Sequence, residues 1–230
     1  MKPDQAELFA AQGFLRLDAF HPKRRMAAIR QKVLDEVKRL SARASPMKSL
    51  RQLPFFQQIG KLSALVDVPG LHDALATPEL IELMARLADR ALTPSQGTQL
   101  LLSPPNQGEW TLKGLNWHVD VTADPPHRLP GIQAFFLIDD VAPRGGATLA
   151  LAGSHRVDAL GPGSASALRR LLKTSDDLER DLRGSGVSIV EMSGRAGDIC
   201  LMDMRLLHTP SINTTRHLRM MATCRCFSRA

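Results

Sequence analysis

The 230-residue chain has no tyrosine, and its aromatic share is only 4%, from eight Phe and two Trp. So few π-faces leave little on which single-stranded nucleic acid could stack. Cysteine is scarce too: Cys200, Cys224 and Cys226 are an odd set gathered late in the chain. That excludes a disulfide framework and points to a reducing, cytoplasmic setting, with the thiols as buried strand residues. No apolar run reaches membrane-spanning length, and the opening MKPDQAELFAAQGF has no apolar core behind a basic start. Neither a membrane partner nor a secretory leader is expected. Acidic residues are short in one region only. Residues 1–60 carry twelve Lys/Arg against five Asp/Glu, whereas residues 61–230 carry eighteen of each. The net charge of +7 is therefore local. A protein-wide phosphate-binding face is not indicated, and nucleic acid is not an expected partner.

What is present is a globular composition. The chain is 43% hydrophobic and 23% charged, enough to bury a core in a single domain spanning 1–230. Periodicity divides it into a mainly helical part, 1–93, and a many-stranded part, 94–230, with an insertion at 158–186. Helices are expected at 4–12, closed by Gly13, at 22–42 behind His21-Pro22, and at 77–92 with Thr77 as cap. In the second, Met26, Ile29, Val33, Val37 and Leu40 make one face. Lys23, Arg24, Arg30, Lys32, Lys38 and Arg39 make a basic face, read as solvated. Residues 44–75 resist assignment because Pro46, Pro54, Gly60, Pro69 and Gly70 interrupt them. Strands are expected at 14–17, 98–103, 131–138, 147–151, 187–192, 199–202 and 217–226, and a short basic helix at 167–173.

Two segments carry chemistry. In Asn116-Trp117-His118-Val119-Asp120, an extended backbone points His118 and Asp120 to the same side. An imidazole and a carboxylate are two thirds of a facial triad for non-haem Fe(II). Such a pair is common by chance, and ordinary polar roles are its bland alternative. The second segment, Gly197 to His208, reads as an apolar strand that follows a Gly-Asp turn and ends at a histidine. His208 would complete a two-His, one-carboxylate site with open positions for an organic acid and O2. Arg219, on the next strand, has a guanidinium fork suited to the far carboxylate of a dicarboxylate.

Taken in order, these motifs resemble the phytanoyl-CoA dioxygenase-like branch of the Fe(II)/2-oxoglutarate-dependent oxygenases. That family carries a His-x-Asp, a distant His, and an Arg eleven residues beyond it. His118-x-Asp120, His208 and Arg219 match, and Asn213 falls where an Asn is common. Gly145 to Arg156 resembles the family segment that ends in Pro-Gly-Ser-His, with Ala152 in place of the Pro. The opening helix with Gly13-Phe14 and the Gly-Asp turn also match, so the resemblance covers nearly the whole chain.

The resemblance implies a double-stranded β-helix, a jelly-roll core with its metal at one open end and helices bracing one sheet. It implies Fe(II) on His118, Asp120 and His208, and 2-oxoglutarate paired with Arg219. O2 would be consumed and a small-molecule substrate hydroxylated, with release of succinate and CO2. The carboxylate at Asp120 favours hydroxylation over halogenation, because halogenating relatives carry a small residue there. Gln99, Thr148 and Asn213 are further expected co-substrate contacts, and Arg216 is the alternative to Arg219. Pro210 stands where some relatives have a Ser near the co-substrate. Trp117 either walls the pocket or packs. Gln133 either faces the pocket or is a satisfied core amide, and His155 and Arg156 stabilise a loop. Thr122, Asp124, His127 and Arg128 are candidate contacts for a polar substrate and Arg169, Arg170 and Lys173 for an anionic one, with solvated surface charge as the preferred reading of these residues.

Overall fold

A computed structural model describes residues 3–42, 49–50, 52–95, 97–121, 128–160 and 163–228. Pro46, Thr122, Asp124 and His127 lie outside the described residues.

The helical part opens with α1 (Pro3–Gln12) and β1 (Phe14–Leu17). Gly13 joins them at φ +66° and donates its N–H to the Phe9 carbonyl at 2.7 Å. A Cβ at Gly13 would lie 2.7 Å from the His155 ring, so glycine answers both backbone and space here. In α2 (Lys23–Ser41) the buried face is Met26, Ile29, Val33 and Leu40. Its basic face is not purely solvated. Arg30 donates to Asp139 at 2.5 Å and Arg39 pairs with Glu36 at 2.6 Å.

The unassigned stretch contains α3 (Phe55–Leu65) and α4 (Leu71–Leu75). Pro54 begins α3 rather than breaking it, and Gly60 sits mid-helix with open space beyond its Cα. Helix α5 (Pro78–Ala88) stops at Asp89, which adopts φ +49°, four residues before the expected end. Thr77 makes no side-chain cap; its hydroxyl meets the Glu79 carboxylate instead. The residues beyond Asp89 form β2 (Leu92–Pro94).

The larger sheet has the order β1-β7-β4-β9-β2, with β3 (Gln99–Ser103) also on β9. Its other strands are β4 (Gly131–Leu137), β7 (Ile199–Asp203) and β9 (Arg219–Ser228). All of its pairings are antiparallel. The smaller sheet is β6-β5-β8, from β5 (Thr148–Ala152), β6 (Ser188–Glu191) and β8 (His208–Pro210).

Strand alternation sorts the side chains. Ile132, Ala134, Phe136, Ile199, Leu201, Met220, Ala222, Cys224 and Cys226 pack in one cluster with the N-terminal helices. Phe135, Leu137, Cys200, Met202 and Met221 face the other way and meet Ala150 of the smaller sheet. The insertion forms α6 (Ser164–Thr174) and α7 (Leu178–Asp181). Leu168, Leu172 and Leu178 cover the outside of the smaller sheet at Leu151. Two facing sheets with helices outside them are the double-stranded β-helix.

One expectation is corrected. The strand that follows the Gly-Asp turn does not run to His208. It ends at Asp203 in the larger sheet, where the Leu206 N–H donates to the Asp203 carbonyl at 2.9 Å. The carboxylate of Asp203 holds the Arg205 amide at 2.9 Å and its guanidinium at 2.6 Å. This turn carries the chain across to the smaller sheet, and His208 opens β8 there.

Candidate metal centre

His118 and His208 are fixed first by backbone. Each donates its N–H to the other's carbonyl, at 3.0 and 2.9 Å, in an antiparallel bridge. Residues that exchange both hydrogen bonds point to the same side, and the two imidazoles stand 4.5 Å apart between centroids. Asp120, two residues on, shares that side. Trp117 and Val119 point the other way and pack beside Leu151 and Leu207. Trp117 is therefore a packed residue; its indole N–H is buried with no partner among the described residues.

Both imidazoles are oriented alike. Nδ1 of His118 lies 2.8 Å from the Asn116 carbonyl, and Nδ1 of His208 lies 3.2 Å from the Leu206 carbonyl. A carbonyl only accepts, so each Nδ1 carries the proton and each Nε2 keeps its lone pair. Those two Nε2 atoms lie 3.7 Å from Oδ1 and Oδ2 of Asp120, respectively. Burial pushes the His208 pKa down; the charges of His118 and Arg225 add to that, against Asp120 and the Leu206 carbonyl. The neutral ligand form is thereby favoured. The three ligand atoms lie within 4.8 Å of one another. Neighbouring ligands on a metal with bonds of ~2.1 Å would stand about 3 Å apart, so a small closure suffices. Imidazoles anchored through backbone carbonyls are what a metal site requires of its ligands.

Ser154 explains part of the segment around it. Its hydroxyl accepts the Leu207 N–H at 3.0 Å, and the Leu207 carbonyl accepts from Leu151 at 2.8 Å. The residue before His208 is thus tied down on both sides. Phe135 closes the ring's edge at 6.4 Å. His155, as expected of a loop support, reaches the Ala10 carbonyl at 3.1 Å.

The inward row of β9 is Arg219, Met221, Thr223 and Arg225. Arg219 is 4% exposed. Nη1 donates to the Leu101 carbonyl at 2.8 Å, and Nε has no partner among the described residues. Burial pushes its pKa down, to about 9, with no acidic group among the described residues offsetting it. A buried cation without a counter-ion is costly, and the remedy is an anion brought from outside. Arg216 is exposed and lines an outer groove with Arg30 and Asp139, which Arg219 also borders.

The remaining expected contacts divide. Thr148 is buried, and alternation places it on the inward side with Ala150. Gln99 is exposed at the sheet edge, in register with Thr223. Asn213 is committed elsewhere. Its Nδ2 donates to the carbonyls of Ser103 (3.2 Å) and His217 (2.9 Å). Its Oδ1 accepts from the amide (3.0 Å) and hydroxyl (2.7 Å) of Thr215. All four of its bonding positions are taken, three by the turn that launches β9 and one by the end of β3. Gln133 faces inward beside Arg225. Its Nε2 donates to Thr223 at 3.0 Å, while Oε1 is buried without a partner among the described residues.

One residue escaped the sequence reading. Arg225 donates to Oδ2 of Asp120 from Nη2 at 2.7 Å and from Nε at 3.2 Å. The signal was available: it lies an even number of residues from Arg219 on a strand, hence on the same face.

The profile of the phytanoyl-CoA dioxygenase family matches residues 9–221. The chain belongs to that family. Members are Fe(II)/2-oxoglutarate oxygenases, and the His118, Asp120 and His208 group is the two-His, one-carboxylate set such an enzyme uses. No curated protein matches it in sequence. Among solved structures, AviO1 from Streptomyces viridochromogenes Tue57 is 19% identical over 100% of this chain and 96% of its own, with a TM-score of 0.60. SnoN, a non-heme α-ketoglutarate-dependent epimerase from nogalamycin biosynthesis, is 17% identical over 98% and 81%, with a TM-score of 0.62. EctD from S. alaskensis, solved with 2-oxoglutarate and 5-hydroxyectoine, is 17% identical over 99% and 76%, with a TM-score of 0.63. Likeness at this level establishes the shared fold. Among the described residues no helix is long and apolar enough to cross a membrane.

Proposed function

We propose that this enzyme hydroxylates an aliphatic carbon of a small metabolite or natural-product intermediate, using Fe(II), 2-oxoglutarate and O2. One observation carries the reading. Two imidazoles with free Nε2 lone pairs and one carboxylate converge at the barrel, whose interior also holds an arginine buried without an acidic partner among the described residues. A metal and an organic anion answer both demands together.

In this reading His118, Asp120 and His208 hold Fe(II), and Arg219 takes the distal carboxylate of 2-oxoglutarate. The bound pair supplies the oxidising chemistry, with succinate and CO2 as co-products. The chain's own work is placement. The His118–His208 bridge sets the angle of the two rings, and Leu137, Met202 and Met221 keep the interior apolar. There a charge-assisted pair with Arg219 is strong. Thr148 would donate a hydroxyl proton to the co-substrate, and Gln99 would contact it from the sheet edge; the buried, inward position of Thr148 supports this. Asn213 serves by fixing the turn that delivers Arg219. The chain would act as one domain, with residues 1–93 bracing the larger sheet. The Asp120 carboxylate occupies the place a halide would need, so hydroxylation is favoured. SnoN, named an epimerase, gives a second outcome for the same oxidant, separable because epimerisation adds no oxygen to the product.

The test is spectroscopic. Anaerobic Fe(II) with 2-oxoglutarate should give a weak visible charge-transfer band that His208→Ala abolishes. Absence of the band from the native protein would sink the reading.

A further inference from the structure

We propose that Arg225 is a positioning residue that reserves one oxygen of Asp120, so that the carboxylate meets the metal through Oδ1 alone. The inference rests on the metal reading above and extends it to a residue outside the family motif.

The observations are geometric. Both donated bonds from Arg225 end on the same atom, Oδ2, at 2.7 and 3.2 Å. A fork that serves both carboxylate oxygens would only neutralise charge; a fork closed on one oxygen distinguishes the two. Toward the imidazoles the two oxygens are alike, Oδ1 lying 3.7 Å from Nε2 of His118 and Oδ2 3.7 Å from Nε2 of His208; Arg225 alone tells them apart, because Oδ1 accepts no bond from it. The arginine is held on the inward row of β9, whose register sets it opposite Gln133 of β4. The Arg225 side chain is 33% exposed and that of Asp120 17%. A partly exposed ion pair contributes modestly to stability, and stability gives no reason for both bonds to share one oxygen.

Chemistry supplies the reason. A facial triad leaves three coordination positions open, two for a chelating keto acid and one for O2. An unrestrained carboxylate can bind through both oxygens, as Asp and Glu do on other cations, and would take one of those positions. Two N–H donors on Oδ2 make that oxygen a poor second ligand. The nearby guanidinium charge also keeps the metal from being held too tightly.

The test uses Co(II) alone with the full metal-free chain, so it needs neither co-substrate nor turnover. Visible absorption titrations would compare the native protein, Arg225→Met and Arg225→Lys, each checked for folding by circular dichroism. Crystal structures of the Co(II) forms would show the ligation. The native protein and Arg225→Lys should hold cobalt through one Asp120 oxygen. Arg225→Met should hold it through both and bind about tenfold more tightly, having gained a ligand and lost a nearby cation. One-oxygen ligation retained in Arg225→Met, at any affinity, overturns the proposal, because a purely electrostatic role would give that result. Affinity unchanged or weakened in that variant also overturns it. No Co(II) binding by the native protein would overturn the metal reading itself, which distinguishes the two failures.

Discussion

The two faces of the larger sheet are built to opposite specifications. The face toward the helices is apolar along the middle of the sheet. Met220, Ala222, Cys224 and Cys226 alternate along β9 and join Ile132, Ala134 and Phe136 of β4. The face toward the smaller sheet, reached by moving one residue along the same strands, carries Arg219, Thr223, Arg225 and Gln133. It keeps unmet demands: Nε of Arg219 and Oε1 of Gln133 are buried without partners among the described residues. One face is built for stability and the other leaves buried polar groups unsatisfied, as functional sites commonly do. This predicts that damage to the two faces will be read by different instruments.

The largest effect should come from the helix side. Phe136 is fully buried and stacks on His21, with ring centroids 5.8 Å apart. Phe136→Ala should cost about 3–5 kcal/mol of unfolding free energy in urea melts, as large core truncations do. Whatever fraction stays folded should bind Fe(II) and 2-oxoglutarate with native affinity. A variant that keeps its stability but loses the co-substrate would blur the division between the faces.

Arg219→Met should do the reverse. Replacing an unpaired buried cation by an apolar side chain of similar length is neutral or stabilising. The metal-free variant should therefore melt no lower than the native protein. Calorimetric affinity for 2-oxoglutarate with Fe(II), measured anaerobically, should fall about 100-fold, near 2.7 kcal/mol. A lower melting point with co-substrate affinity intact would make Arg219 a structural residue.

How far the sequence reveals this contrast follows from which signals are local. Period-two alternation is local, and it places β1 at 14–17 and β4 at 131–137 almost to the residue. The spacing of His118, Asp120, His208 and Arg219 is legible because each motif has a fixed offset. What hides is long-range. The step from β7 to β8 is invisible because Met204, Leu206 and Leu207 continue an apolar run straight through a change of sheet. Helix α3 hides behind Pro54 and Gly60, although proline suits a helix start and a mid-helix glycine costs only about 1 kcal/mol. The partner of Arg225 lies more than a hundred residues away, and the saturation of Asn213 depends on Ser103, equally far along the chain. Offset rules deliver the ligands, whereas hydrogen-bond accounting requires the folded chain.

The smallest effect sharpens the comparison at an ionisable group on the apolar side. His21 is 2% exposed. Nε2 contacts the Leu75 carbonyl at 3.0 Å, and Nδ1 lies 3.0 Å from the Arg25 guanidinium. Burial first, and then the Arg25 charge, lower its pKa to about 4, against the pull of the Leu75 carbonyl and Glu79. The ring is therefore neutral in the folded state, and above pH 6.5 it is neutral in the unfolded state as well. As pH falls through about 6.5, the unfolded chain takes a proton that the folded chain refuses, and stability declines. The decline levels off near pH 4, where the folded ring protonates too. After discounting for solvent screening, the loss between pH 7 and 5 should be about 1 kcal/mol. His21→Gln removes this titration. The native protein should therefore lose more stability than the variant over that interval, by urea melts of the metal-free form. The wall of the metal site should not register the change, so Co(II) affinity at pH 7 should be equal in both proteins. Parallel stability curves would show that the ring is solvated enough to titrate normally. The helix-facing side of the sheet would then be less sealed than its packing indicates.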